Sequence, residues 1–153
     1  MFENCSSLAD LDLSNFNTSN CRKIPNMFKG CKRLKNLKFE NLKGEKIFIA
    51  DHMFTGCESL VELNLSSFNP VVIDNIERMF SGCKKLKTIH LDKFDIGAMV
   101  SHRDMFNGSS SIERINIPCS KYIMELIESE GLSDVAVVNG SGRGNLETTS
   151  LFN

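Results

Sequence analysis

Six cysteines, three histidines and a scatter of carboxylates are the side chains of this 153-residue chain best suited to chemistry. Metal binding would use the thiols, but no C-x-x-C pair occurs, so the spacing of a closed zinc site is missing and no metal is expected. Four thiols, Cys5, Cys31, Cys57 and Cys83, recur in one slot that Ser109 then fills. Such a column suits small, weakly polar side chains in a core, since free cysteine is among the most buried residue types. Column neighbours would lie about one strand spacing apart, too far at the β-carbon for a disulfide without a shift. Cys21 shares its slot with Ile47, Ile73 and Met99 and reads as core, whereas Cys119, beside Pro118, is off-pattern and the best candidate for a reactive thiol.

Hydrolytic chemistry would need a nucleophile, a base and an orienting acid. His52, His90 and His102 are the histidines, and Ser66, His90 and Asp92 form the sole grouping of that kind. Ser66 and Asp92 occupy equivalent slots, however, and nothing supplies an oxyanion hole. Glu40 and Glu62 are a weak signal for acid-base or calcium chemistry, and a solvated acidic face is the better account of them. Gly140-Ser141-Gly142-Arg143-Gly144 looks like a phosphate loop, yet it opens no helix and belongs to no βαβ unit. No catalytic residue, cofactor or metal is expected, and the chain is read as a non-enzyme.

What positions these residues is a period. Met-Phe occurs at Met1-Phe2, Met27-Phe28, Met53-Phe54, Met79-Phe80 and Met105-Phe106, every step 26 residues. Asn4, Gly30, Gly56, Gly82 and Gly108 follow three residues after each Met. Then come apolar triplets: Leu8/Leu11/Leu13, Leu34/Leu37/Phe39, Leu60/Leu63/Leu65, Leu86/Ile89/Leu91 and Ile112/Ile115/Ile117. Phe16, Leu42, Phe68 and Phe94 close the unit. L-x-x-L-x-L is the core of a leucine-rich repeat, whose last two apolar residues alternate on a strand. The expected fold is therefore an α/β leucine-rich-repeat solenoid. About six short parallel strands line its concave side, and the convex side is irregular or short-helical. On that return path Cys21, Ile47, Ile73 and Met99 form one expected interior column. Ile24, Ala50 and Ile76 form a second, which His102 interrupts as a half-exposed or hydrogen-bonded residue.

Residues 1–117 make five such repeats. Residues 118–138 are read as a degenerate capping repeat: a helix from a Ser120 cap to Gly131, then a strand. Ile123, Leu126 and Ile127 would face inward and Glu125, Glu128 and Glu130 outward. Leu132, Val135 and Val137 would match Ile112, Ile115 and Ile117. Residues 139–153 are a Gly-rich loop and tail. At the other end the chain starts in mid-pattern. An uncovered first strand implies either a fragment of a longer array or self-association through the uncapped N-terminal repeat.

Residues flanking the inward strand positions face the concave surface. Asp10, Asp12, Lys38, Glu40, Glu62, Asn64, His90, Asp92, Arg114 and Asn116 are the expected partner-binding set, with Asp12, Lys38, Asn64, His90 and Asn116 along the midline. The charges on this face sum to −3 and the whole chain to −1, which suits a basic or mixed protein patch better than a phosphate backbone. Lys32-Arg33-Lys35 and Lys84-Lys85-Lys87 are separated by Glu58-Ser59 in the same columns and read as a solvated rim. No apolar run nears the ~20 residues of a membrane span, and the first residues show no signal peptide.

The pattern Met-Phe-x-Gly-Cys-x-x-Leu-x-x-Leu-x-Leu-x-x-Phe, with Asp12-Leu13-Ser14-Asn15-Phe16-Asn17-Thr18-Ser19-Asn20 after its first copy, resembles the BspA-like leucine-rich-repeat family over residues 1–117. Asn41–Gly44 and Ser109 depart from it. The resemblance implies a cell-surface repeat protein that adheres to or binds a host protein without catalytic residues. The expected function is thus a non-catalytic macromolecule-binding module working through its concave sheet. Its partner would be a protein, or alternatively a glycan; neither nucleic acid nor membrane insertion is expected. A structural spacer of a longer surface array, or a cytosolic effector or inhibitor, are the alternatives.

Overall fold

Each apolar triplet ends in a three-residue strand whose middle side chain points inward. The structure, a computed structural model, describes residues 1–39, 43–94, 96–118 and 121–138. The strands are β1 (Asp10–Asp12), β2 (Asn36–Lys38), β3 (Glu62–Asn64), β4 (Thr88–His90), β5 (Arg114–Asn116) and β6 (Ala136–Val138), with helix α1 (Lys121–Ser129) between β5 and β6. All pairings are parallel, and among the first five strands they join equivalent slots, as in Leu11 opposite Leu37 and Ile89 opposite Ile115. The chain is a leucine-rich-repeat-like β-solenoid of about five turns with parallel sheets and very little helix.

Three lines of contact join successive coils. On the first, the Met-Phe turns, Phe28 N–H donates to Met53 O at 2.9 Å and Gly30 N–H to Thr55 O at 2.8 Å, and the same bonds recur in the next coils. Phe2, Phe28, Phe54, Phe80 and Phe106 stack beneath with ring centroids 5.4–5.8 Å apart. Offset aromatic stacks add to the apolar area they bury. The turn requires a left-handed residue: Gly30, Gly56, Gly82 and Gly108 have φ of 71–74°, a conformation in which a β-carbon is strained. Asn26, His52, Arg78 and Asp104, each just before Met, are also left-handed at φ 51–55°. That backbone cost turns Met and Phe together into the core.

The second line is the return path. The convex side was expected to be irregular or short-helical; among the described residues it is irregular, made of turns tied by single parallel bridges, Lys23 to Ile49, Ile49 to Asn75 and Asn75 to Ser101. About ten residues must cross there, and alternating bridge and turn spans the distance with fewer residues than a helix needs. Ile47 and Ile73 are buried as expected. Met99 is not: it is 94% exposed, because Ile96 fills the interior of that coil and Val100 packs beside the core. His102 is half-buried among buried equivalents.

The third line is the strand ladder, and it is cut. In place of one six-stranded sheet, β1-β2 form one sheet and β3-β4-β5-β6 another.

At the C-terminal end α1 buries Ile123, Leu126 and Ile127 against the last coil. Gly131, with φ of 71°, closes it: Gly131 N–H donates to Glu128 O and Leu132 N–H to Ile127 O, a Schellman turn. Two expectations fail here. Val137 pairs with Ile115, two residues from the register that matched Val135 to Ile115. The reason is that Gly131-Leu132 takes the place of Gly-Cys: Val135 N–H donates to Leu132 O as Leu86 N–H does to Cys83 O. Glu130, expected outward, turns in and accepts from the amides of Met105 and Phe106 at 3.0 and 3.3 Å. Its carboxylate replaces the carbonyl that a following Met-Phe turn would present. The helix start at Ser120, Cys119 and the tail of residues 139–153 lie outside the described residues.

Candidate functional site on the strand face

The flanking strand positions face solvent as alternation requires. Asp10, Asp12, Lys38, Glu62, Asn64 and Arg114 are exposed, and His90, Asp92 and Asn116 are half-buried; Glu40 lies outside the described residues. Equivalent slots pair along the stack. Asn36 Nδ2 donates to Asp10 Oδ1, and Lys38 Nζ lies 4.0 Å from Asp12. Ser14 donates to Asp12 and holds its carboxyl below the usual range, with Lys38 a lesser influence. Asn64 Oδ1 accepts from Ser66 N–H, so Asp12 and Asn64 both cap the turn after their strands.

His90 is tied at both ring nitrogens. Asn116 Nδ2 lies 3.0 Å from Nδ1 and can only donate there, which leaves Nε2–H to donate to Glu62 Oε1 at 3.1 Å. The Asn116 carbonyl oxygen is buried without a partner. Ser66 Oγ donates to Asp92 at 2.7 Å, away from His90. The grouping of Ser66, His90 and Asp92 is therefore not assembled as nucleophile, base and orienting acid. Ser66 and Asp92 form one cross-coil pair, and His90 is tied separately to Glu62 and Asn116.

The cysteine column has a definite job. Cys31, Cys57 and Cys83 are buried, and their thiols donate to the carbonyls of Phe2, Phe28 and Phe54 at 3.0–3.2 Å. Ser109 repeats the bond to Phe80 O at 2.6 Å. The slot wants a small donor, which explains why serine can enter it. Burial pushes the thiols up, Cys83 to about 12, so they stay protonated and unreactive. The described cysteines, Cys5 at the exposed end included, are free. Among the described residues no cluster of three or more metal-ligating side chains forms, and no helix is long and apolar enough to cross a membrane.

The rim behaves as a solvated charge ladder. Lys84 pairs with Glu58 at 3.0 Å and Lys87 with Glu113 at 2.7 Å. Lys84 holds the Glu58 carboxyl below its usual range, with Lys32 a lesser influence.

The sequence reasoning did not find the cut in the strand ladder. A groove of about 640 Å³ follows it, lined by Lys35, Leu37, Val61, Glu62 and Asn64 among others. It continues past Phe39, Ser66 and Ser67 into a smaller hollow of about 290 Å³. The one signal was Phe39, the sole aromatic in a column of Leu13, Leu65, Leu91 and Ile117. Its ring meets Phe28 and Phe54 edge-on, 5.4 and 6.3 Å between centroids. That ring is bulkier than leucine, and it follows β2 directly at the point where the pairing of β2 with β3 is missing. Farther along the coil Gly44 leaves room for Phe68 to lean over, since a β-carbon there would lie 2.4 Å from the Phe68 ring.

A family model described as "Mycoplasma protein of unknown function, DUF285" matches residues 1–118. No curated protein and no solved structure matches the chain.

Proposed function

The chain belongs to the DUF285 family, and from that premise we propose that it is a non-catalytic binding module that recognises a macromolecule, foremost a protein, through its strand face. The observation that carries this reading is the row of exposed polar side chains on strands fixed by backbone bonds, from Asp10 and Asp12 through Lys38 and Glu62 to Arg114, of which Asp10, Asp12, Lys38 and Glu62 are paired across coils. Side chains already held in place lose little entropy on binding, so fixed columns favour recognition. Both signs of charge occur on this face, Asp10, Asp12 and Glu62 with Lys38 and Arg114, which favours a mixed-charge protein surface over a uniform polyanion. The two bonds of His90 to Glu62 and Asn116 support a positioning role for that ring rather than a basic one.

The finer assignment, to BspA-like leucine-rich-repeat surface proteins that adhere to host proteins, is supported by the recurrent Met-Phe-x-Gly-Cys element. The unpaired outer edge of β1 supports self-association with a second copy there. A spacer role is the second reading, favoured by the uninterrupted Met-Phe line and its ring stack.

The test is partner capture by the wild type and by the double variant Lys38→Glu with Glu62→Lys. Binding falls at least tenfold with the melting temperature held if the strand face is the site. Unchanged capture moves the site to the return side, and no capture by either protein leaves the spacer role.

A further inference from the structure

The cut between β2 and β3 is confined to one side of the coil. On the Met-Phe side Phe28 and Phe54 stack at 5.4 Å, and Phe28 N–H bonds to Met53 O. On the return side Ile49 bridges Asn75, and His52 N–H donates to Glu77 O at 2.8 Å. On the strand side the repeated bonds stop. Leu13 donates to Lys38 O, Leu65 to His90 O and Leu91 to Asn116 O, but Phe39 N–H does not reach Asn64 O. Lys87 and Thr88 share Val61 O, but neither Val61 nor Glu62 donates to Lys35 O. Two strand edges therefore face each other with their donors and acceptors unused.

The side chains agree. Asn36 reaches back to Asp10 and Glu62 forward to His90, each within its own sheet. Among the described residues one side-chain bond spans the opening, at its far end, from Ser67 Oγ to Phe39 O at 2.8 Å. Leu37 is half-buried, whereas its equivalents Leu63, Ile89 and Ile115 are at most 1% exposed, and Val61 at the rim is 49% exposed. Lys35 and Lys85 line the mouth with no ion-pair partner among the described residues.

β2 and β3 are unpaired, and the groove of about 640 Å³ lies between their edges. An inserted strand pairs with both edges only where they stand roughly 9.6 Å apart, twice the ~4.8 Å spacing of paired strands. We propose that this opening is a peptide-binding slot, filled by an extended segment of another protein that adds one strand between β2 and β3. The segment has alternating polar and aliphatic residues: an aliphatic one covers Leu37, and an acidic one lies between Lys35 and Lys85. Main-chain bonds to both edges hold it, and the apolar and acidic positions select it. The proposal deepens the binding role above and rests on it, but it places recognition in the backbone of one slot rather than in the polar columns.

The probe is a capped six-residue peptide with the sequence Val-Glu-Leu-Asn-Leu-Ser, compared with versions carrying proline for the first leucine or lysine for glutamate. The readout is amide exchange of the full chain. The expected result is at least tenfold slower exchange at Leu37, Phe39, Glu62 and Asn64 with the first peptide, none with the proline peptide, and weaker protection with the lysine peptide. Lys35→Glu with Lys85→Glu, two exposed sites, reverses the preference between the glutamate and lysine peptides. Phe39→Leu, which closes the slot, abolishes protection. Absence of protection at millimolar peptide, or equal protection by the proline peptide, overturns the proposal. Asp12→Lys with Arg114→Glu, two exposed sites outside the slot, separates the two readings: loss of partner capture with retained peptide protection supports both, and retained capture with retained protection rejects only the polar-column site.

Discussion

The same two coils meet on opposite faces of the solenoid with opposite results. Where Met27-Phe28 meets Met53-Phe54, rings stack and backbone bonds repeat without a break; where β2 meets β3, no backbone bond forms. Both faces descend from one 26-residue pattern, so the difference comes from single side chains. The Met-Phe face keeps an unvaried phenylalanine in every coil. The strand face admits one phenylalanine, Phe39, among leucines and isoleucines. Repetition enforces contact only while the repeated side chains keep one size, because interiors tolerate little added volume.

The largest effect should come from breaking the unbroken face. Phe54→Ala removes a fully buried ring from the middle of the stack and should cost about 3–5 kcal/mol, read from the denaturant midpoint. A loss below about 1 kcal/mol would show that the stack is dispensable. Next is the point where that face ends. Glu130→Ala leaves the amides of Met105 and Phe106 without their acceptor and should cost about 1–3 kcal/mol, with faster exchange at both. Glu130→Gln, which keeps an acceptor, should recover part of it.

The cut face is tested by Phe39→Leu. If ring bulk holds β2 from β3, the exchange of the Leu37 and Glu62 amides slows at least tenfold in the variant. Unchanged exchange would assign the gap to the segment after Phe39. A smaller effect lies in the thiol column behind the rings. Cys83→Ser should stay within about 0.5 kcal/mol of the wild type, because Ser109 already makes this bond, whereas Cys83→Ala should lose about 1 kcal/mol. The smallest is at the rim, where Glu58 bonds to Lys84 and feels Lys32, across the cut, less. Its folded pKa is lowered, so its contribution is present above the unfolded value near 4.5 and is lost as pH falls through the lowered folded value. Lys84→Met should raise its midpoint in an NMR titration more than Lys32→Met does.

Much of this was legible in the sequence. Strand centres at Leu11, Leu37, Leu63, Ile89 and Ile115 follow from apolar spacing, and the outward flanks from alternation. The thiol column followed from slot and residue type. The gap did not, because an apolar pattern counts Phe39 and Leu65 as equals. The cap register did not, because Leu132, Val135 and Val137 match the triplet by spacing, while the left-handed Gly131 places Leu132 in the cysteine slot. Met99 looked interior until Ile96 was seen to occupy that space. On the candidate site, types and exposure were readable. The ties of His90 to Glu62 and Asn116 depend on side-chain direction, which periodicity does not carry.

A column of coils fastened along two lines and slit along the third is a notched beam. The Phe28–Phe54 contact is its fulcrum, and the slit is where it gives first under load. A strand seated in the slit would alter one angle, that between the first two coils and those that follow.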